Sequence, residues 1–156
     1  MDRFFMERAL ELAKEAYAAG EVPIGAVIVL DGQIIGEARN RVEELQDVQA
    51  HAEMLAMRQA SALVGNWRLL GATLYCTLEP CAMCAGAILL ARLKRLVYAA
   101  PDKRLGASGS YTNLFSIEHP FHQITPEPGL LVEESAHLMR SFFQERRNSK
   151  GISNSD

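Results

Sequence analysis

Two short motifs constrain this chain more than any other feature: the triplet His51-Ala52-Glu53 and, further along, the pair Cys81 and Cys84. The two cysteines are three residues apart, so on a helix they are neighbours on one face. Two thiolates and an imidazole are ligands that zinc prefers, and three protein ligands leave a fourth position for water, as in catalytic zinc sites. Glu53 then remains free as a general acid and base. The fold must therefore bring these two distant segments together.

Both motifs are predicted to lie at the beginnings of helices. Pro80 suits the first position of a helix, where its missing N–H costs nothing. Cys81 and Cys84 then fall in or near the first turn, where the helix dipole favours the metal-binding thiolate. Apolar residues at three- and four-residue steps follow His51 and stop at Gly65, so His51 is placed at the very start of a second helix.

The same residues also allow two readings without catalysis. A Cys-x-x-Cys pair occurs in cytosolic redox dithiols and as half of a structural zinc site. Four side chains could supply the fourth ligand of a structural site: Cys76, His119, His122 and His137. A zinc-stabilised binding module would not need Glu53, and a redox dithiol leaves both His51 and Glu53 without a role. The complete set therefore favours catalytic zinc.

Length and composition indicate a globular protein that needs no disulfides. The chain has 156 residues, 49% of them hydrophobic, which is enough for a core without disulfides. Three cysteines suggest no disulfide framework, and Cys76 lies in a strand-like stretch as a small buried residue. No apolar run reaches the roughly eighteen residues that span a bilayer, and the first residues lack the apolar centre of a signal peptide. We therefore expect a cytoplasmic protein with no membrane partner.

The net charge of −3 argues against a generic nucleic-acid binder, which is usually basic. Basic residues nevertheless cluster in three places: Arg92, Lys94 and Arg95; Lys103 and Arg104; Arg140, Arg146, Arg147 and Lys150. These clusters are either solvated surface charge or a local binding patch, and the sequence leaves both readings open.

The pattern of elements predicts an α/β protein. A helix capped by Asp2 and stopped near Gly20 precedes two strands, which Asp31-Gly32 joins as a hairpin. A polar loop over 40–49 leads into the histidine helix, and a strand, the cysteine helix and a second strand follow. A right-handed crossover makes those two strands parallel.

A short fifth strand is predicted over 122–125 and a last helix over 132–147. We therefore predict a three-layer α/β/α fold around a mixed, mostly five-stranded sheet. Residues 1–147 would form a single domain, and the polar residues 148–156 a disordered tail.

The stretches around both motifs carry a resemblance to a known family. They are 21–27 (EVPIGAV), 40–41 (NR), 51–53 (HAE), 71–75 (GATLY), 77–87 (TLEPCAMCAGA), 106–110 (GASGS) and 142–143 (FF). The chain resembles the bacterial tRNA-specific adenosine deaminases, within the zinc-dependent cytidine deaminase-like superfamily. The metal motif is common to the superfamily, and the flanking stretches point to the tRNA branch. Pro101 and 121–123 depart from the family pattern.

The resemblance implies a cytidine deaminase-like fold and the conversion of adenosine to inosine at the wobble position of a tRNA anticodon stem-loop, with an arginine tRNA expected. It implies one Zn²⁺ per subunit held by three ligands: His51, Cys81 and Cys84. Glu53 would be the catalytic proton carrier. Four further residues would contact the substrate: Asn40, Ala52, Pro80 and Asp102. It also implies a homodimer.

A small-molecule deaminase acting on cytosine, cytidine or guanine is the nearest alternative function. Such an enzyme would share the zinc site and differ in the rim around it. The basic end of the last helix and the flanking motifs favour the tRNA substrate.

Overall fold

The hairpin that Asp31-Gly32 predicts is present. Strand β1 (Gly25–Leu30) pairs antiparallel with β2 (Gln33–Arg39). Asp31 and Gly32 both have positive φ, 51° and 77°, as a two-residue hairpin turn of type I′ requires. These coordinates are a computed structural model, which describes residues 1–149.

The sheet is mixed and has five strands in the order β2-β1-β3-β4-β5. Strand β3 (Thr73–Leu78) is antiparallel to β1 and parallel to β4 (Arg95–Ala100). A helix, here α4 (Ala82–Leu90), connects the two parallel strands as predicted. In such a crossover α4 begins next to the carboxyl end of β3. Cys81 and Cys84 therefore lie at the carboxyl ends of the parallel strands.

The predicted position of the fifth strand is wrong. Strand β5 is Glu127–Pro128, parallel to β4, and 122–125 form no strand. A proline is tolerated there because the strand lies at the sheet edge, where no neighbour needs its missing N–H. His122 instead places Nε2 2.6 Å from the carbonyl oxygen of Leu93.

The helices lie on both faces of the sheet, which confirms the three-layer prediction. On one face α1 (Asp2–Ala18) packs its buried Phe5 and Met6 against Val27, Tyr75 and Val97. On the other face α3 (Ala52–Val64) and α4 pack against alternate residues of the same strands, among them Ile28, Leu74 and Leu96. Alternation along each strand thus divides the core into two layers.

The last helix, α5 (Val132–Ser149), packs on the face that α1 covers. The rings of Tyr17 and Phe142 meet edge to face at 5.8 Å, and the hydroxyl of the buried Ser135 donates to the carbonyl of Thr77. Within the described residues the helix continues through Ser149, so residues 148 and 149 of the expected tail are helical, and 150–156 lie outside the described residues. Within 1–149, no helix combines the length and hydropathy needed to cross a membrane.

Asp2 does not cap α1 as predicted, because it is the first residue inside the helix. Its carboxylate accepts hydrogen bonds from the hydroxyl of Tyr75 at 2.6 Å and from the guanidinium of Arg95 at 3.1 and 2.9 Å. Arg95 also pairs with Glu127 at 2.7 Å. The Arg95 guanidinium, with help from Tyr75, lowers the pKa of Asp2 to about 2. This network joins the first helix to three strands.

Candidate metal centre and substrate pocket

The first metal-site residue stands where the sequence predicts, at the start of α3. His51 is the N-cap residue, with an extended backbone (φ −71°, ψ 150°), and Ala52 is the first helical residue. Because His51 lies outside the regular helix, its ring and the Glu53 side chain are not forced to opposite sides. Both line the same cavity.

The two cysteines lie at the start of α4, but Pro80 is not its first residue. Cys81 is the extended N-cap residue (φ −76°, ψ 176°), and Cys84 falls in the first turn. The predicted start is too early because Cys81 forms a β-bridge with Gly106, and the carbonyl of Pro80 accepts a hydrogen bond from Ala107 N at 2.8 Å. These contacts hold the segment extended for two residues more.

The three potential ligands converge. His51 Nδ1 lies 3.6 Å from Cys81 Sγ and 3.5 Å from Cys84 Sγ. A tetrahedral zinc with ordinary Zn–N and Zn–S bond lengths would separate its nitrogen and sulfur ligands by about 3.5 Å. The donor set and its spacing therefore fit zinc.

No fourth protein ligand completes the cluster among residues 1–149. The only group of His, Cys, Asp and Glu ligand atoms close enough to share a metal there is formed by His51, Cys81 and Cys84. The sequence alternatives Cys76 and His122 lie elsewhere: Cys76 is buried inside β3, and His122 contacts the Leu93 carbonyl. An open fourth position is the arrangement of a catalytic zinc site.

The thiols of Cys81 and Cys84 shift each other's pKa in opposite directions. Hydrogen bonds from Cys84 and His51 lower the pKa of Cys81 to about 4, against the opposing effect of burial. Contact with Cys81, together with burial, raises the pKa of Cys84 far above its ordinary value. The pair therefore releases one proton easily and resists losing the second. A divalent cation between the sulfurs removes that resistance, because coordination deprotonates thiols.

Glu53 is the group suited to carry protons. Its side chain is only 4% exposed, and within residues 1–149 no donor contacts its Oε1. Burial raises the pKa of Glu53 to about 6. A buried carboxyl group with one oxygen free of hydrogen bonds and a pKa near neutral pH is suited to act as a general acid and base.

These groups share a cavity of about 240 Å³. Asn40 and Asp102, predicted substrate contacts, both line it. Asn40 Oδ1 accepts from Val42 N at 3.3 Å, and the Asp102 carboxylate accepts from Arg104 N at 3.1 Å. Both side chains are therefore held by the backbone of their own loops.

Ala52 and Pro80, the other two predicted contacts, are buried and their side chains are not part of the lining. Any substrate contact at these residues would come from the backbone. The first N–H groups of α3 have no partner within the helix, so the Ala52 N–H suits this role.

A second, basic groove of about 500 Å³ adjoins the cavity and shares Leu78, Asp102, Arg104 and Met139 with it. Its lining contains four basic residues and one acidic residue: Lys103, Arg104, Arg140, Arg147 and Asp102. Arg146 lines the cavity itself. Two basic clusters that looked separate in sequence therefore meet beside the metal centre.

Two buried carboxylates at this edge were not assigned a role by sequence reasoning. Glu21, 2% exposed, accepts from Glu43 N at 3.1 Å and Glu44 N at 2.7 Å. These bonds cap a short helix, α2 (Val42–Leu45), in the segment predicted to be a loop. Glu79 is 3% exposed and binds the opposite rim. The sequence did contain a signal for both: Glu21 directly precedes an apolar stretch, and Glu79 directly precedes the Pro80-Cys81 segment.

Comparisons with known proteins agree with this geometry. Residues 1–100 match the family model for the cytidine and deoxycytidylate deaminase zinc-binding region. The tRNA-specific adenosine deaminase of Bacillus subtilis is 47% identical over 149 residues, covering 96% of this chain and 92% of the relative. The chloroplastic tRNA(adenine(34)) deaminase of Arabidopsis thaliana is 48% identical over 162 residues, covering 94% of this chain but only 12% of that protein.

Solved structures show the same relationship. A structure from a study of A-to-I editing by tRNA:A34 deaminases at the wobble position has a TM-score of 0.83 and 49% identity, covering 86% of this chain and 98% of that one. The guanine deaminase of Nitrosomonas europaea has a TM-score of 0.76 and 26% identity, covering 90% and 83%. With its zinc-type ligand cluster, this chain belongs to the cytidine and deoxycytidylate deaminase family, among the tRNA-specific adenosine deaminases.

Proposed function

We propose that this protein carries out the zinc-dependent hydrolytic deamination of adenosine to inosine at the wobble position of a tRNA anticodon. The first substrate to test is an arginine tRNA, which the family resemblance suggests. The choice of a tRNA rests on one observation: the cavity beside Glu53 adjoins a groove lined by four basic residues.

The cavity has room for one base. Its volume of about 240 Å³ is below the roughly 300–1,000 Å³ of pockets for drug-sized ligands. A base of an anticodon loop reaches such a cavity by leaving its stack, which costs less in a loop than in a duplex. Asn40 and Asp102, which line the cavity, are assigned the role of orienting the base and its ribose.

The chemistry is divided between a metal and Glu53. Zinc held by His51, Cys81 and Cys84 would supply Lewis-acid activation of the attacking water. Glu53 accepts a proton from the water at its free Oε1 and delivers it to N1 of the purine ring, which makes C6 more electrophilic. It then takes the second proton from the hydroxyl now bonded to C6 and delivers it to the departing amine, which leaves as ammonia while C6 becomes a carbonyl. The buried setting of Glu53 keeps bulk water from competing for these protons.

The basic groove suits the phosphates next to the reacting nucleotide. Arg104 and Arg147 line it together with Lys103 and Arg140, while Asp102 is its single acidic lining residue. A free base carries no phosphate and gains nothing from this charge. The structural similarity to a guanine deaminase keeps a small-molecule substrate as the second candidate.

A direct assay separates the two substrates. Purified protein is incubated with an arginine tRNA, other tRNAs, and free adenosine, guanine, cytosine and cytidine, and inosine, xanthine, uracil and uridine are measured. Inosine at the wobble position of a tRNA, lost after zinc removal and restored by zinc, supports the proposal. Turnover of a free base with none of any tRNA would contradict it.

We propose further that residues 1–147 act as one domain, that the protein is a homodimer, and that it works in the cytoplasm. Support for the dimer and the compartment comes from the family resemblance and the tRNA substrate. The roles given to Asn40, Ala52, Pro80 and Asp102 are part of the same proposal. Sedimentation at micromolar concentration tests the dimer.

A further inference from the structure

We propose that Glu79 is a positioning residue, whose buried carboxylate fixes the loop that carries Asp102 against the metal centre. This inference rests on the proposed function for its effect on tRNA. The loop over 102–110 carries Asp102 and Arg104, which line both the cavity and the basic groove, and Glu79 immediately precedes the Pro80-Cys81 segment of the metal site.

Glu79 binds this rim through both carboxylate oxygens. Oε1 accepts from Asp102 N at 3.0 Å and from the hydroxyl of Ser110. Oε2 accepts from Ser108 N at 2.8 Å and Ser110 N at 3.2 Å. One side chain therefore holds both ends of the loop, which lie 23 and 31 residues away in sequence.

The carboxylate is buried without a cation. Glu79 is 3% exposed, and among residues 1–149 no Lys, Arg or His forms an ion pair with it. Burying such a group is costly unless donors surround it, so the four donors and the carboxylate require one another. The loop conformation that satisfies them is strongly preferred.

Packing supports the same conclusion. The backbone of Gly106 lies against the Glu79 carboxyl group, and a Cβ at Gly106 would overlap it. Gly106 also bridges to Cys81, and Ala107 N donates to the Pro80 carbonyl. The segment before α4 and the loop over 102–110 are thus joined at adjacent residues.

The two buried carboxylates therefore have different roles: Glu53 transfers protons, and Glu79 positions the loop. Glu53 acts on the base, whereas Glu79 lines the same cavity with both its oxygens bonded to the loop, and so sets where Asp102 and Arg104 stand. Loss of Glu79 should therefore weaken tRNA binding more than it slows the chemical step.

The test compares Glu79→Gln with Glu118→Gln, an exposed glutamate in a surface loop. Glutamine keeps the shape but turns two N–H donors of its own towards the donors of the loop. We expect KM for the tRNA to rise about 10-fold or more, with kcat changed by less than about 3-fold and zinc content unchanged. Amide hydrogen exchange at Asp102, Ser108 and Ser110 should accelerate about 10-fold. Glu118→Gln should change none of these.

Ser110→Ala provides a milder second variant in case Glu79→Gln does not fold. It removes a single hydrogen bond, so a 2- to 4-fold rise in KM and faster exchange at the same amides are expected. Unchanged exchange and KM in either folded variant would overturn the proposal. Loss of zinc in proportion to activity at constant KM would overturn it too, because Glu79 would then support only the metal centre.

The exchange measurement needs no substrate. If wild-type protein forms no inosine on any tRNA, the proposed function fails while the loop-anchoring role is still decided by exchange at these three amides.

Discussion

His51 Nδ1 lies 3.5 Å from Cys84 Sγ, although the two residues are 33 positions apart in sequence. The contact exists because α3 and α4 lie on the same face of the sheet and begin at the same edge. Cys81 Sγ is at nearly the same distance from this nitrogen, 3.6 Å. The two helix starts therefore present three ligands to one point.

Replacing Cys84 by serine should remove the metal and destabilise the fold. A serine hydroxyl does not ionise in place of the thiolate, and a ligand that binds only the native state at 100 times its Kd contributes about 3 kcal/mol. We expect bound zinc to fall close to zero and the melting temperature to drop. Metal analysis and thermal melting measure both effects.

Cys76→Ala is the matched control for Cys84→Ser. Cys76 is fully buried but outside the ligand cluster, so this variant should keep its zinc at a cost of about 1 kcal/mol. Equal zinc loss in the two variants would contradict the assignment of Cys84.

Replacing Glu53 by glutamine should stop turnover without removing zinc. The amide occupies the same buried space but cannot carry protons. Positioned proton transfer accelerates a reaction by roughly 100- to 10,000-fold, and a fall of that size in kcat is expected. Single-turnover inosine formation and zinc content are the measurements. A variant that retains more than a tenth of wild-type kcat would exclude Glu53 as the proton carrier.

Neutralising the basic groove should weaken tRNA binding and reduce its salt dependence. For Arg147→Gln we expect the slope of log K against log salt concentration to become shallower by about 1, because one phosphate contact is lost. Binding is measured by titration at several salt concentrations. Arg68→Gln makes the same charge change beyond the far end of α3 and should leave the slope unaltered. Identical slopes for both variants would show that Arg147 contacts no phosphate of the tRNA and is an ordinary surface charge.

The Asp2–Arg95 pair should give a pH-dependent contribution to stability. The pKa of Asp2 is lowered to about 2 in the folded protein from 3.8. The contribution is therefore fully present above pH 4 and is lost as the pH falls through about 2. Because the pair is partly exposed, we expect Asp2→Asn to cost no more than about 1 kcal/mol at pH 7. This difference should shrink below pH 4 in urea unfolding experiments.

Asp31→Asn is the control for Asp2→Asn, since Asp31 forms no ion pair within residues 1–149 and asparagine tolerates its positive φ. A difference between wild type and Asp2→Asn that stays constant from pH 7 to 3 would contradict the role of the pair.

The sequence by itself determined the features that depend on short spacings. Asp31-Gly32 specified the hairpin, the three-residue spacing of Cys81 and Cys84 specified two thiols in one turn, and the period of apolar residues specified a helix after His51. Such signals are local because turn geometry and helical repeat involve neighbouring residues only. They were enough to predict the layers of the fold and the three side chains that converge as a candidate metal site.

Only the tertiary structure decided the surroundings of these residues. Glu79 contacts amides 23 to 31 positions away, Glu21 caps α2 from 22 positions away, and Asp2 meets Arg95 across 93 positions. Nothing in a local pattern identifies the partner of a buried carboxylate. Its partners are whichever donors the packed sheet and loops bring within about 3 Å, so the rim of the pocket emerges only when the whole chain has folded.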